Sequence, residues 1–264
     1  MTVLVQHYTR KLGTIVEWWP VGLLGVLIIF AVFAPWIAPL DPDRQNLLAR
    51  LKPPGFATRG IIYWLGSDEL GRDTLSRVIY GARVSLSVAF LSVVLSGVVG
   101  VTVGMTAAYL RGWSETLLMR LVDIFLSIPA ILLAIITVAV LGPGFINVIL
   151  VLALTRWPRY ARVAYGQTLV VASQPFVTLA HAMGASATRV LALHILPNII
   201  GPLLVVATLE FGLMVLFEAG LSFLGLGVQP PTSSWGSMLS SGRNYVGSAW
   251  WTTTFPGIAL FMLV

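Results

Sequence analysis

No cysteine occurs among the 264 residues, so disulfides and thiol chemistry are excluded and the redox compartment stays unread. Charge is scarce as well: Asp, Glu, Lys and Arg make up 10% of the chain, where a soluble domain carries about 25%. Lysine is confined to Lys11 and Lys52, neither after a glycine-rich loop, so there is no phosphate cradle of the Gly-x-x-x-x-Gly-Lys type. His7, His181 and His194 lack metal-ligand spacing. A Ser/His/acid set would draw on the same scattered histidines, and Gly-x-Ser-x-Gly is missing. The sequence offers no catalytic residue, no metal site and no cofactor site of its own.

What is present is apolar. Hydrophobic residues make up 57% of the chain and the mean hydropathy is +0.90, which marks an integral membrane protein. The net charge of +6 does not point to nucleic acid, because no basic run with interleaved aromatics occurs. The basic residues sit at the ends of apolar runs, as orientation in a membrane requires.

In chain order, residues 1–17 form a polar head with Arg10 and Lys11. The head lacks an A-x-A-like cleavage site, so the first apolar segment is expected to be retained. Trp18 and Trp19 mark an interface before the run from Val21 to Leu40, which at about 1.5 Å per residue just crosses a core of roughly 30 Å. Residues 41–83 are polar. A second span is expected from Val84 to Leu110, with Gly97, Gly100 and Gly104 at spacings that allow close helix contact. Arg111-Gly112 turns into a third span, 117–141, in which Arg120 and Asp123 are placed to pair locally and Pro129 to kink the helix. Gly142-Pro143-Gly144 leads to a fourth span, 145–164. Its Arg156, Arg159 and Arg162 read as a cytoplasmic end. A fifth span, 199–223, holds Glu210 and Glu218, eight residues apart and so on roughly one face. Acids inside a span face protein or water, and both lining a path and interhelical bonding remain open. After a polar loop, 224–249, Trp250 and Trp251 open a last apolar run that reaches Val264, too short to cross. The expected fold is all-α and polytopic, with six transmembrane helices, the sixth incomplete in this chain. Basic residues divide evenly between the two sides. The short connections, Arg111 and the span-four arginines against Gly-Pro-Gly, set the head on the cytoplasmic side.

The stretch 176–198, FVTLAHAMGASATRVLALHILPN, is too polar for lipid and too helical for a plain linker. Ala180, Met183, Ala187 and Leu191 recur at three- and four-residue steps, which predicts a helix with one modest apolar face. Such a face buries itself against a soluble partner or against the membrane-proximal surface. The pattern alone leaves both open.

Three segments carry a resemblance. Ala180, Gly184, Leu196 and Pro197 keep the spacing Glu-Ala-Ala, three residues, Gly, nine residues, Ile, one residue, Leu-Pro. Thr178 stands in place of the Glu, Leu179 of the first Ala, and His194 of the Ile. This pattern is similar to the coupling loop of membrane subunits of bacterial ABC importers. WLGSDELGRDTLSRVIYGARVSL (64–86), EAGLSFLGLG (218–227) and the following QPPTSSWGSML resemble the C-type permease subunit of dipeptide, oligopeptide and nickel importers.

The resemblance implies a type I ABC importer fold in an inner membrane. It spans 18–264 as one permease domain, with outer loops 41–83 and 224–249 and a cytoplasmic coupling loop, 165–198. It implies a B-type permease partner, two ATPases holding ATP and Mg, and a periplasmic or lipid-anchored binding protein. Thr178, Leu179, Ala180, His181, Gly184, Ala185, Arg189, Leu196 and Pro197 would couple to an ATPase. Glu210, Glu218 and Asp123 would line the path, and Asp68, Arg72, Asp73 and Trp235 would serve docking of the binding protein. The alternative is an ion-coupled transporter or channel working through those acids, although no repeat of paired interrupted helices is apparent. The class of cargo is not set by the sequence.

Overall fold

The computed structural model describes residues 22, 24–58 and 60–264; the head, Trp18 and Trp19 lie outside them. The chain divides into two compact units, one of residues up to Leu86 together with Pro230–Val264, the other Ser87–Gln229.

In the first unit, helical residues 24–32 (α1) and Ala34–Ile37 (α2) begin the described chain. Residues 41–83 are more ordered than a polar loop suggests. They hold a 3-10 turn, Leu47–Ala49, and an antiparallel hairpin of β1 (Phe56–Thr58) and β2 (Ile61–Tyr63), with Phe56 opposite Tyr63. Helix α3 starts at Thr74, ten residues before the expected Val84, and runs to Leu110. Its start is set by Asp73, whose Oδ2 accepts from the Ser76 backbone N–H at 2.8 Å and its hydroxyl at 2.7 Å, an N-cap satisfying otherwise orphaned donors. The Trp235 indole donates to the Val78 carbonyl at 3.0 Å and the Trp251 indole to that of Ser67 at 3.1 Å. These bonds hold the later helices, called α10 (Trp235–Gly242) and α11 (Trp251–Leu263) below, against this loop.

The second unit takes α3 from Ser87 onward, then α4 (Gly112–Ser127), α5 (Ala130–Leu141), α6 (Phe145–Ala172), α7 (Pro175–Ala182), α8 (Ala187–Arg189), a π-helical stretch Val190–Ile195, and α9 (Leu196–Phe223). The expected third span is not one kinked helix. Between α4 and α5 the axis turns by 92°. Ile128, ahead of Pro129, is extended with ψ 130, because the proline ring excludes the helical conformation from the residue before it.

Helix α6 is the centre of this unit. Gly100 and Gly104 of α3 lie against it so closely that an added Cβ would fall 2.6 Å from Tyr160 Cβ and 2.9 Å from Ala164 Cβ. Trp157 meets Phe125 of α4 edge-on at 5.4 Å, within a cluster of Ala107, Met119, Val122 and Ala161. Side chains facing away from the bundle are apolar, Val98, Ile136 and Leu204 among them, as expected where the surroundings are hydrocarbon.

Thr74–Leu110 and Ala187–Phe223 are long and apolar enough to cross a membrane, and the bent α4–α5 pair adds a third if taken as one span. Helix α6 has the length, with 28 residues, but its arginines set it apart from the purely apolar helices.

Candidate functional site

The segment 176–198 is not the single helix its spacing suggests. Helix α7 opens with Pro175 in its first turn, where a missing N–H is no loss. It closes in a Schellman motif: Ala185 N–H donates to Ala180 C=O at 3.0 Å, and Gly184 N–H to His181 C=O at 2.9 Å. That geometry needs a left-handed residue after the cap, and Gly184 supplies it with φ +81. Ser186 then caps α8, its hydroxyl accepting from Arg189 N–H at 3.4 Å. The wide π turn Val190–Ile195 brings the chain into α9, where Pro197 falls in the first turn and its ring avoids a regular preceding turn.

Burial corrects the expected stripe. Val177, Ala180, Val190 and Ile195 are buried, packed with Met105 of α3 and Ala164 of α6, whereas Met183 is 87% exposed and Leu179 64%. Ala187 is exposed and Leu191 only half-buried. The Schellman turn re-aims everything after Gly184, so one helical period cannot carry from 176 to 198. Thr178, His181, Gly184, Arg189 and Pro197 are exposed, and Ala185 and Leu196 half-buried. His181 is tied down: its Nε2 lies 3.1 Å from the Tyr109 hydroxyl and its ring stacks on Tyr109 at 5.8 Å. The result is a braced ledge from which Phe176, Leu179 and Met183 stand out.

A second cluster lies midway along α6 and α9. Glu210, 2% exposed, receives Arg159 Nη1 at 3.2 Å on Oε1, while Arg156 Nη1 lies 3.6 Å from Oε2. Arg156 is buried, its guanidinium 4.0 Å from the centre of the Phe217 ring. Arg156 is thus a buried partner of Glu210 in mid-helix, and α6 continues past the expected end at Ala164 to Ala172. Asp123 pairs with Arg162 across α4 and α6, in place of the local pair with Arg120. Glu218 is fully buried and accepts from the Ser222 hydroxyl at 2.7 Å on its own helix; that hydroxyl in turn accepts from Val228 N–H at 3.3 Å, fixing the chain after α9. Both glutamates are enclosed by protein.

Asp68, Arg72 and Asp73 of the segment 41–83, and Trp235 of α10, are all buried. Asp68 accepts from Leu70 and Arg72 N–H at 2.9 Å each and pairs with Arg72 Nε at 2.6 Å, while Arg77 Nε stands 3.5 Å away. These four residues build the segment from within and present no side chain for direct contact. Burial pushes the Asp73 carboxyl above its ordinary range, partly offset by its bonds from Ser76. Among the described residues no group of three acid or histidine side chains is placed to hold a metal.

Interhelical bonding, one of the two readings open for Glu210, is what the structure shows. Its partners were not legible in the sequence, because Arg156 and Arg159 read as the end of a helix.

Residues 100–264 match the family described as binding-protein-dependent transport system inner membrane component, and residues 21–54 match the N-terminal TM domain of oligopeptide transport permease C. The di/tripeptide transport system permease protein DppC of Pseudomonas aeruginosa is 44% identical over 246 residues, covering 92% of this chain and 81% of that protein. The probable D,D-dipeptide transport system permease protein DdpC of Escherichia coli K12 is 40% identical, covering 97% and 88%. The dipeptide transport system permease protein DppC of the same strain is 42% identical, covering 98% and 86%. Among solved structures, a chain of the MetNI methionine ABC transporter in an inward facing conformation shares the fold at a TM-score of 0.55 and 21% identity, covering 71% of this chain and 91% of that one. By these matches the chain belongs to the binding-protein-dependent transport system inner membrane components, as a C-type permease.

Proposed function

We propose that this chain forms half of the translocation path of an ABC importer for peptides or related small solutes, beside a B-type permease. It is driven by two separate ATPases that hold ATP and Mg. Six spans are proposed, within 24–37, α3, the broken pair α4–α5, α6, α9 and α11 in order, and the N-terminus cytoplasmic in an inner membrane. Segments 41–83 and 224–249 face outward and receive a capture protein. Asp68, Arg72, Asp73 and Trp235 serve that docking by fixing the shape of the outer surface from inside.

The observation that carries the reading is the ledge at 175–189. Leu179 and Met183 project from a helix whose other face is anchored by Val177 and Ala180, so exposed apolar area sits on a rigid support, as partner surfaces do. Force applied there reaches the interior through 187–223, which continues as one helix, and through α6. ATP-driven closure of the ATPases then biases two arrangements of the spans. A proton- or cation-driven scheme through Glu210 is disfavoured by its two arginine partners, which already neutralise it.

Gly184→Pro tests the coupling. Proline cannot take φ +81 and lacks the N–H given to His181. Insertion and assembly should persist while ATP hydrolysis continues without uptake. Normal coupled uptake in that variant would sink the assignment of the ledge.

A further inference from the structure

Arg159 is the one guanidinium of the Glu210 cluster that is not enclosed. Its side chain is 54% exposed, against 4% for Arg156. Between Val151 and Ala161 only Leu154 and Arg159 are exposed at all, the rest of that stretch being covered by neighbouring helices. Arg159 stands 14 residues from Phe145 and 13 from Ala172, about 20 Å from either end of α6. With Phe145 at one face of a core of about 30 Å, Arg159 lies roughly 20 Å along it, inside the hydrocarbon and about 9 Å short of the opposite face.

The charge there is not balanced: two guanidiniums meet one carboxylate, leaving one positive charge. In hydrocarbon such a charge is costly, and it is met in practice by water or by an anion. Glu210 engages Arg159 through Nη1 alone, so it holds the side chain while leaving the rest of the planar fork presented outward. A fork of N–H donors matches a carboxylate in two parallel bonds, which an ammonium cannot do.

We infer that Arg159 is a carboxylate-binding point inside the translocation path, and that it takes the C-terminal carboxylate of a peptide in transit, with Glu210 as its positioning residue. The inference rests on the permease reading given above.

The test uses the complete importer in proteoliposomes, with a dipeptide and its C-terminal amide as paired cargoes. Because the capture protein is the same throughout, a change in the acid-to-amide uptake ratio between variants reports the membrane step. Arg159→Gln leaves Arg156 and Glu210 as a one-to-one pair, so folding is expected to survive. The ratio should drop about tenfold or more, the scale of one charge-assisted hydrogen-bonded contact. Arg159→Lys, which keeps the charge but not the fork, should fall between. An unchanged ratio in Arg159→Gln overturns the inference, as does equal loss of both cargoes or failure of the two permeases to assemble, which would make Arg159 a subunit contact. A wild-type importer that moves neither cargo would instead overturn the peptide-importer reading itself.

Discussion

At the scale of single residues, the cluster around Glu210 has the sharpest consequences. Removing its carboxylate leaves Arg156 buried without a counter-charge, and breaking a buried pair in this way costs about 3–5 kcal/mol. Glu210→Ala and Glu210→Gln both remove the counter-charge and should each lower the thermal stability of the purified permease, Gln somewhat less because its amide oxygen still accepts a hydrogen bond. Unchanged melting temperatures in both would show that the pair contributes little. Asp73 gives a pH signature. Its carboxyl binds a proton more tightly folded than unfolded. Its favourable contribution is thus full below the ordinary carboxylate range and fades as pH rises through the raised value. Relative to Asp73→Asn, wild-type melting temperature should fall across that rise, and a flat difference would contradict the burial argument. The sequence made Asp73 legible because capping is local. Glu210 was not, because its partners lie some fifty residues away and their depth depends on where α6 ends.

At the scale of elements, glycines decide two contacts. Gly100 and Gly104 were readable as a packing face from spacing alone, and the structure shows α6 filling the space that a side chain would need. Gly104→Val should prevent the close approach of α3 to α6 and cut the yield of folded protein, whereas Gly97→Ala, with its nearest neighbour 3.7 Å away, should be tolerated. A normal yield of Gly104→Val would mean that α3 stands further off. The ledge shows where periodicity fails. A 3.6-residue period assumes an unbroken helix, and both the positive φ of Gly184 and the π turn at Val190–Ile195 reset the phase. The same holds for the third span, where Pro129 was visible but the size of the bend was not. A kink becomes a 92° break only when surrounding helices hold both arms. Thr178 is exposed on α7, so Thr178→Glu should assemble and transport as the wild type does; loss of assembly would indicate an ATPase groove shaped for the smaller residue.

At the scale of the whole molecule, composition alone settled membrane residence, and three motifs pointed to the family that the relatives establish. What composition could not convey is that residues 41–83 are folded, with their own hairpin and buried ions. Nor could it show that α6, the most polar of the long helices, is the best enclosed in its unit. Both follow from one constraint: charge near hydrocarbon is admitted where protein surrounds it.

The ledge can be tested directly because the chain has no cysteine. Met183→Cys introduces a single thiol at an exposed position. In membranes holding the assembled complex, a short reagent that joins a thiol to an amine should link that thiol to the nucleotide-binding subunit, with a yield that changes when ATP is added. Labelling of the introduced thiol by an impermeant maleimide from the outside, or no link to that subunit in an active complex, would contradict the coupling role.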